Sequence, residues 1–161
     1  MLLQILIGMI DGISCMVKRI TILQRRFLVM FDHLSIGVSD FAKSITFYDA
    51  VFQALGIGRM FALPTEAIAG YTGLQGTSFW LYGKDKNKTI LTEIQASPRF
   101  HVAFQATTRS AVDAFYQAAI AQGGTDEGAP GIRSHYHPNY YAAYVLDLDG
   151  YKLEAVCHEP G

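Results

Sequence analysis

Residues 31–57, FDHLSIGVSDFAKSITFYDAVFQALGI, and residues 99–125, RFHVAFQATTRSAVDAFYQAAIAQGGT, are two versions of one text. At an offset of 68 positions His33 falls on His101, Phe47-Tyr48 on Phe115-Tyr116, and Gly56 on Gly124, without a gap. Self-similarity of this kind decides architecture, because each copy is one supersecondary unit. Each opens with a short alternating apolar segment, a predicted strand with a histidine near its start. Ser39-Asp40 and Thr107-Thr108 then offer side-chain oxygens to the free N–H groups of a helix start. The apolar spacing that follows is helical: Phe41, Ile45, Tyr48, Phe52 and Leu55 in one copy, Val112, Phe115, Ala119 and Ile120 in the other. Gly56 and Gly123-Gly124 supply the stops.

Beyond each helix come short strand-like runs broken by Gly, Pro or Asn: 58–63, 66–71 and 77–82 in the first half, 124–129, 140–146 and 151–157 in the second. Each half is therefore a β-α-β-β-β module, with 84–97 as the link between them. A half of about 60 residues buries only part of its surface alone. Pairing the halves into one curved sheet would give a shared core and a cleft between them, an α+β architecture.

The first 30 residues differ from the rest. Nineteen are apolar and four are basic against one acid, whereas 31–161 carries nine basic and thirteen acidic residues. A signal peptide would need a basic region before its apolar run, and here the run begins at Leu2. The longest uncharged stretch, 1–10, is half the length needed to span a bilayer. We read 1–30 as an apolar, basic extension whose true start is expected at Met30, 31–158 as the domain, and 159–161 as a tail. With 161 residues and a net charge of −1, the chain has no basic excess for nucleic acid, and neither nucleic-acid nor membrane partners are expected. Two cysteines fit a reducing cytoplasm.

The repeat also places chemistry. His33 and His101 occupy equivalent strands. Superposing the last strands of the two halves sets Trp80 opposite Glu154. Strand alternation puts Leu153 and Ala155 on one face and Lys152, Glu154 and Val156 on the other. A carboxylate at a strand centre needs a partner, since isolated burial is very costly. Two imidazoles and one carboxylate form the facial set that holds divalent Fe, Mn, Zn and similar ions with positions open for substrate. The plainer reading of each histidine is a hydrogen-bonded strand residue.

Asp32-His33-Leu34-Ser35-Ile36-Gly37-Val38, Ser44-Ile45-Thr46-Phe47-Tyr48, Phe100-His101-Val102-Ala103-Phe104 and Leu146 to Glu154 together resemble the motifs of the vicinal oxygen chelate superfamily. This group comprises glyoxalases, bleomycin- and fosfomycin-resistance proteins and extradiol dioxygenases. The resemblance spans 31–158. It implies two βαβββ modules in an open half-barrel around a metal cleft, with His33, His101 and Glu154 as ligands of one divalent ion (Zn, Fe, Mn, Ni or Co). It further implies a homodimer and a small-molecule substrate. Trp80 stands where glyoxalase I-type isomerases carry a fourth ligand, and a Trp cannot replace it. His33-Leu34-Ser35 is similar to the ligand-plus-hydroxyl pattern of the fosfomycin thiol-transferases, which makes Ser35 a candidate substrate contact.

The stretch 131–144, GIRSHYHPNYYAAY, is a second candidate for chemistry. It is either a Pro138-Asn139 turn entering an aromatic strand, or a loop over the metal. In the second reading Arg133 meets an anionic group and His135 or His137 moves a proton, imidazole being suited to that near neutrality. Trp80, Tyr82 and Tyr144 would wall the cleft. The expected function is a small metal-dependent enzyme acting on an oxygen-bearing substrate as lyase, isomerase, transferase or oxygenase. The alternative is a metal-free protein that sequesters a small molecule.

Overall fold

Two side chains start the two helices. The Asp40 carboxylate accepts from the Lys43 N–H and the Thr108 hydroxyl from the Ala111 N–H, each satisfying a donor that the helix leaves unpaired. In the computed structural model, which describes residues 31–72, 76–83 and 100–161, these caps open α1 (Phe41–Ala54) and α2 (Arg109–Ala121). The segments 1–30 and 84–97, singled out above, lie outside the described residues. The strands are β1 (His33–Val38), β2 (Gly58–Leu63), β3 (Ile68–Thr72), β4 (Ser78–Gly83), β5 (His101–Gln105), β6 (Thr125–Ile132), β7 (Tyr141–Leu146) and β8 (Lys152–Cys157). Among the described residues no helix is long and apolar enough to cross a membrane.

The order β-α-β-β-β therefore occurs twice, and both copies wind alike. The sheets run β1-β4-β3-β2 and β5-β8-β7-β6; the first pair in each is parallel and the others antiparallel. One expectation is corrected. Among the described residues the halves do not merge into one curved sheet but form two separate open sheets, with no strand of one bonded to a strand of the other.

The modules are joined through their core faces instead. Alternation sends Ile36 and Val38 of β1, Phe79 and Leu81 of β4, and Leu153, Ala155 and Cys157 of β8 into one shared core. Helices α1 and α2 pack against each other within it. Phe52 and Phe79 of the first module meet Phe104 of the second with ring centroids 5.0 and 5.6 Å apart. On α1, Phe47, Tyr48, Val51 and Phe52 are fully buried. On α2, Val112, Phe115 and Ala119 are buried while Ile120 is exposed, so the apolar stripe is one residue narrower than the spacing suggests.

One polar link crosses this core. The Tyr48 hydroxyl donates to Asp147 Oδ2 at 2.6 Å, while Asp147 Oδ1 accepts from the backbone N–H groups of Asp149 and Tyr151. Asp147 thus shapes the β7–β8 turn and anchors it to α1. Asp149 takes the Ser39 N–H just ahead of α1 at 3.0 and 3.1 Å. Residues Asp147–Gly150 form this turn, closed by the Gly150 N–H donating to the Asp147 carbonyl at 3.2 Å.

Candidate functional site

With the helices packed on one side, each sheet has a second face turned away from the core. In the second module that face carries His101 and Ala103 of β5, Glu154 of β8 and Tyr144 of β7, because Ala103 and Tyr144 are both register partners of Glu154. His101 Nε2 and Glu154 Oε2 stand 3.1 Å apart, and the Tyr140 hydroxyl donates to Glu154 Oε1 at 2.7 Å. Glu154 is only 1% exposed. No Lys or Arg pairs with it among the described residues. A buried carboxylate held by one imidazole and by the phenols of Tyr140 and Tyr144 is short of positive charge.

A cavity of about 790 Å³ opens over this pair. Tyr144 lines it, its hydroxyl pushed up to about 12 by burial first and by the Glu154 charge second, so that it stays a proton donor at neutral pH. Two cations lie against the Tyr144 ring: the Arg133 guanidinium carbon 5.6 Å and Lys152 Nζ 5.2 Å from its centroid. Lys152 is paired with Glu127 at 3.3 Å. Arg133 donates to the Ala129 carbonyl at 2.7 Å and has no carboxylate partner among the described residues. Two glycines make its seat. A Cβ on Gly128 would come within 3.0 Å of the Tyr144 ring, and one on Gly131 within 3.1 Å of the guanidinium.

His135 also lines the cavity, its ring 4.2 Å from that of Tyr136, which in turn lies 4.8 Å from Tyr140. His137 does not line it. Its Nε2 faces His158 Nδ1 at 2.7 Å and its Nδ1 accepts the Asn139 N–H at 3.1 Å. The Pro138-Asn139 turn aims this imidazole at the tail after β8, where its proton is engaged.

The first module presents an equivalent but chemically different face. His33 Nδ1 bonds to the exposed Asp32 at 2.7 Å. Ser35 pairs in register with Trp80. The Trp80 ring lies on Gly70, where a Cβ would approach it to 2.8 Å, and its Nε1 donates to Ser78 Oγ. Phe61 packs beside it with centroids 6.2 Å apart, and Phe61, Tyr82, Met60 and Leu63 are all exposed. His33, Ser35, Trp80 and Tyr82 do not line the described cavity. Among the described residues no three metal-ligating side chains form a group, so one chain brings together His101 and Glu154 and leaves His33 apart.

Sequence reasoning included Tyr136 and Tyr140 in the candidate stretch 131–144 without giving either a role, and it passed over Glu127 and His158. Hairpin arithmetic from the Asp147–Gly150 turn carries the signal. The register that opposes Tyr144 to Glu154 continues, past the paired residues, to set Tyr140 beside His158, whose rings are 5.2 Å apart.

The family described as the Glyoxalase/Bleomycin resistance protein/Dioxygenase superfamily matches residues 30–155. The chain belongs to this superfamily. A crystal structure of a glyoxalase/bleomycin resistance protein from Albidiferax ferrireducens is 32% identical, with 80% of this chain and 99% of that chain covered and a TM-score of 0.69. A glyoxalase-related enzyme from Fulvimarina pelagi is 20% identical (81% and 88% covered, TM-score 0.61). The genomically encoded fosfomycin resistance protein FosX from Listeria monocytogenes is 16% identical (83% and 96% covered, TM-score 0.58). No curated protein matches the chain. The doubled module of the superfamily is thus the fold of this protein.

Proposed function

We infer that this superfamily member is a metal-dependent enzyme of the glyoxalase/dioxygenase-like type. In this reading His101 and Glu154 of one copy, with His33 of a second copy, hold one divalent ion. The observation that carries the reading is Glu154: a carboxylate 1% exposed, facing an imidazole at 3.1 Å beside an open cavity, with no Lys or Arg ion-paired to it among the described residues. Two imidazole nitrogens and one carboxylate oxygen suit Zn, Fe, Mn, Ni or Co. When bound, such an ion polarises a substrate oxygen or lowers the pKa of a bound water.

The chain's own residues then have distinct tasks. Arg133, without a carboxylate partner among the described residues, takes an anionic substituent of a small oxygen-bearing substrate. Tyr144 donates its proton to a substrate oxygen. His135, on the cavity wall, moves a proton. Supplying His33 from a second copy requires a homodimer, and the exposed aromatic face around Trp80, Phe61 and Tyr82 is the kind of apolar surface that marks such contacts. Ser35, Trp80 and Tyr82 would then wall the completed site from the partner side. A variant of the fold relative FosX is described with Mn(II) and a dihydroxypropylphosphonic acid. A cytoplasmic setting belongs to the same reading.

The test is metal content by mass spectrometry on protein made without an affinity His tag, beside His101→Ala and Glu154→Gln. Near-stoichiometric metal that both substitutions remove supports an enzyme. A wild type that stays empty after reconstitution with each of the five ions favours the second reading, a metal-free protein that sequesters a small molecule.

A further inference from the structure

Tyr140 occupies an unusual position for a residue outside any strand. Its hydroxyl donates to Glu154 Oε1 at 2.7 Å, while the other oxygen of the same carboxylate faces His101. Its ring is boxed by three others: Tyr136 at 4.8 Å, His137 at 5.5 Å and His158 at 5.2 Å, the two histidines edge-on.

The histidines in turn hold each other. Because His137 Nδ1 accepts the Asn139 N–H, the neutral ring carries its proton on Nε2 and donates it to His158 Nδ1. That bond ties the β6–β7 loop to the segment after β8 and closes the box around Tyr140.

We propose that Tyr140 is the positioning residue of the metal centre, its hydroxyl occupying one oxygen of Glu154 so that the carboxylate offers the ion only the oxygen beside His101. The proposal rests on the metal reading above and deepens it. A carboxylate free to turn can give both oxygens to one ion and take up a position that a water or substrate would otherwise hold. The Tyr140 bond keeps that position open, and the His137–His158 pair keeps Tyr140 aimed. Such outer partners of a ligand are as much part of a metal site as the ligand itself.

The experiment titrates Mn(II) into the full chain and into Tyr140→Phe, and measures water-proton relaxation per bound ion, which counts exchanging waters. We expect wild type to bind Mn(II), and Tyr140→Phe to show lower relaxation per bound ion as the released oxygen displaces water. Affinity is expected to change by about 10- to 100-fold. Equal relaxation per bound ion in the two proteins overturns the proposal, whatever the affinity. Where the variant fails to fold or to load, the infrared carboxylate stretches of Mn-loaded minus metal-free wild type decide. Widely split bands, from ligation by one oxygen, support the proposal, and closely spaced bands from ligation by both overturn it. A wild type that binds no Mn(II) under these conditions overturns the metal reading for this ion and the proposal with it.

Discussion

Trp80 and Glu154 hold the same place in the two modules. Trp80 is the register partner of Ser35, two residues after His33, and Glu154 is the register partner of Ala103, two residues after His101. One repeat position has become an indole seated on glycine and the other a buried carboxylate beside an imidazole. The two faces are related by their backbones and divided by their chemistry.

The Trp80 seat depends on Gly70. In Gly70→Ala the new methyl would meet the indole at 2.8 Å, so ring or strand must shift. Overpacking of this kind costs about 1–3 kcal/mol. Urea unfolding should show a lower midpoint with an unchanged slope, and an unchanged midpoint would mean that the indole moves freely.

Tyr48→Phe removes the donor to Asp147 Oδ2 at the junction of the modules. Tyr48 is fully buried and Asp147 is 6% exposed, so the stranded acceptor has no water to turn to. The expected loss is about 1–3 kcal/mol, the range for a buried polar group left without its partner. Denaturant unfolding measures it, and a near-neutral result would show that the junction is apolar in its energetics.

Burial raises the Asp147 carboxyl above the ordinary aspartate value, against the lowering pull of its three hydrogen bonds. The folded state therefore holds this proton more tightly than the unfolded state does. Its contribution to stability is fully present below the ordinary aspartate pKa and is lost as pH rises through the raised one. As pH rises above the ordinary aspartate value, the unfolding free energy of wild type should fall relative to that of Asp147→Asn. Parallel curves would remove Asp147 as the cause.

Much of the fold was legible because local signals agreed with each other. Asp40 and Thr108 cap the helices that the spacing calls for, and the 68-residue repeat reappears as two sheets of identical order. The face of Glu154 followed from alternation, and the equivalence of His33 and His101 from the repeat. Alternation fixes which side of a sheet a residue occupies but not which other sheet it meets. The separation of His33 from His101 was therefore invisible until the topology showed that the two sheets are not joined. The partner of Tyr140 was hidden for a different reason, since the aim of its hydroxyl depends on the β7–β8 register and on a loop that folds back to the segment after β8. His137 looked catalytic by its neighbours in sequence, yet the turn after it directs the imidazole to His158.

The most direct test of a metal site shared between copies is complementation. His33→Ala and His101→Ala are purified separately, then mixed under conditions that exchange subunits, and metal is quantified before and after. Each variant alone should be metal-depleted, since both of its sites lack a ligand. In a mixed dimer one site regains all three residues, so an equimolar mixture should recover about a quarter of the wild-type metal if pairing is isologous and random. No recovery despite demonstrated exchange, or a His33→Ala protein that loads as fully as wild type, would contradict a site completed by a second copy.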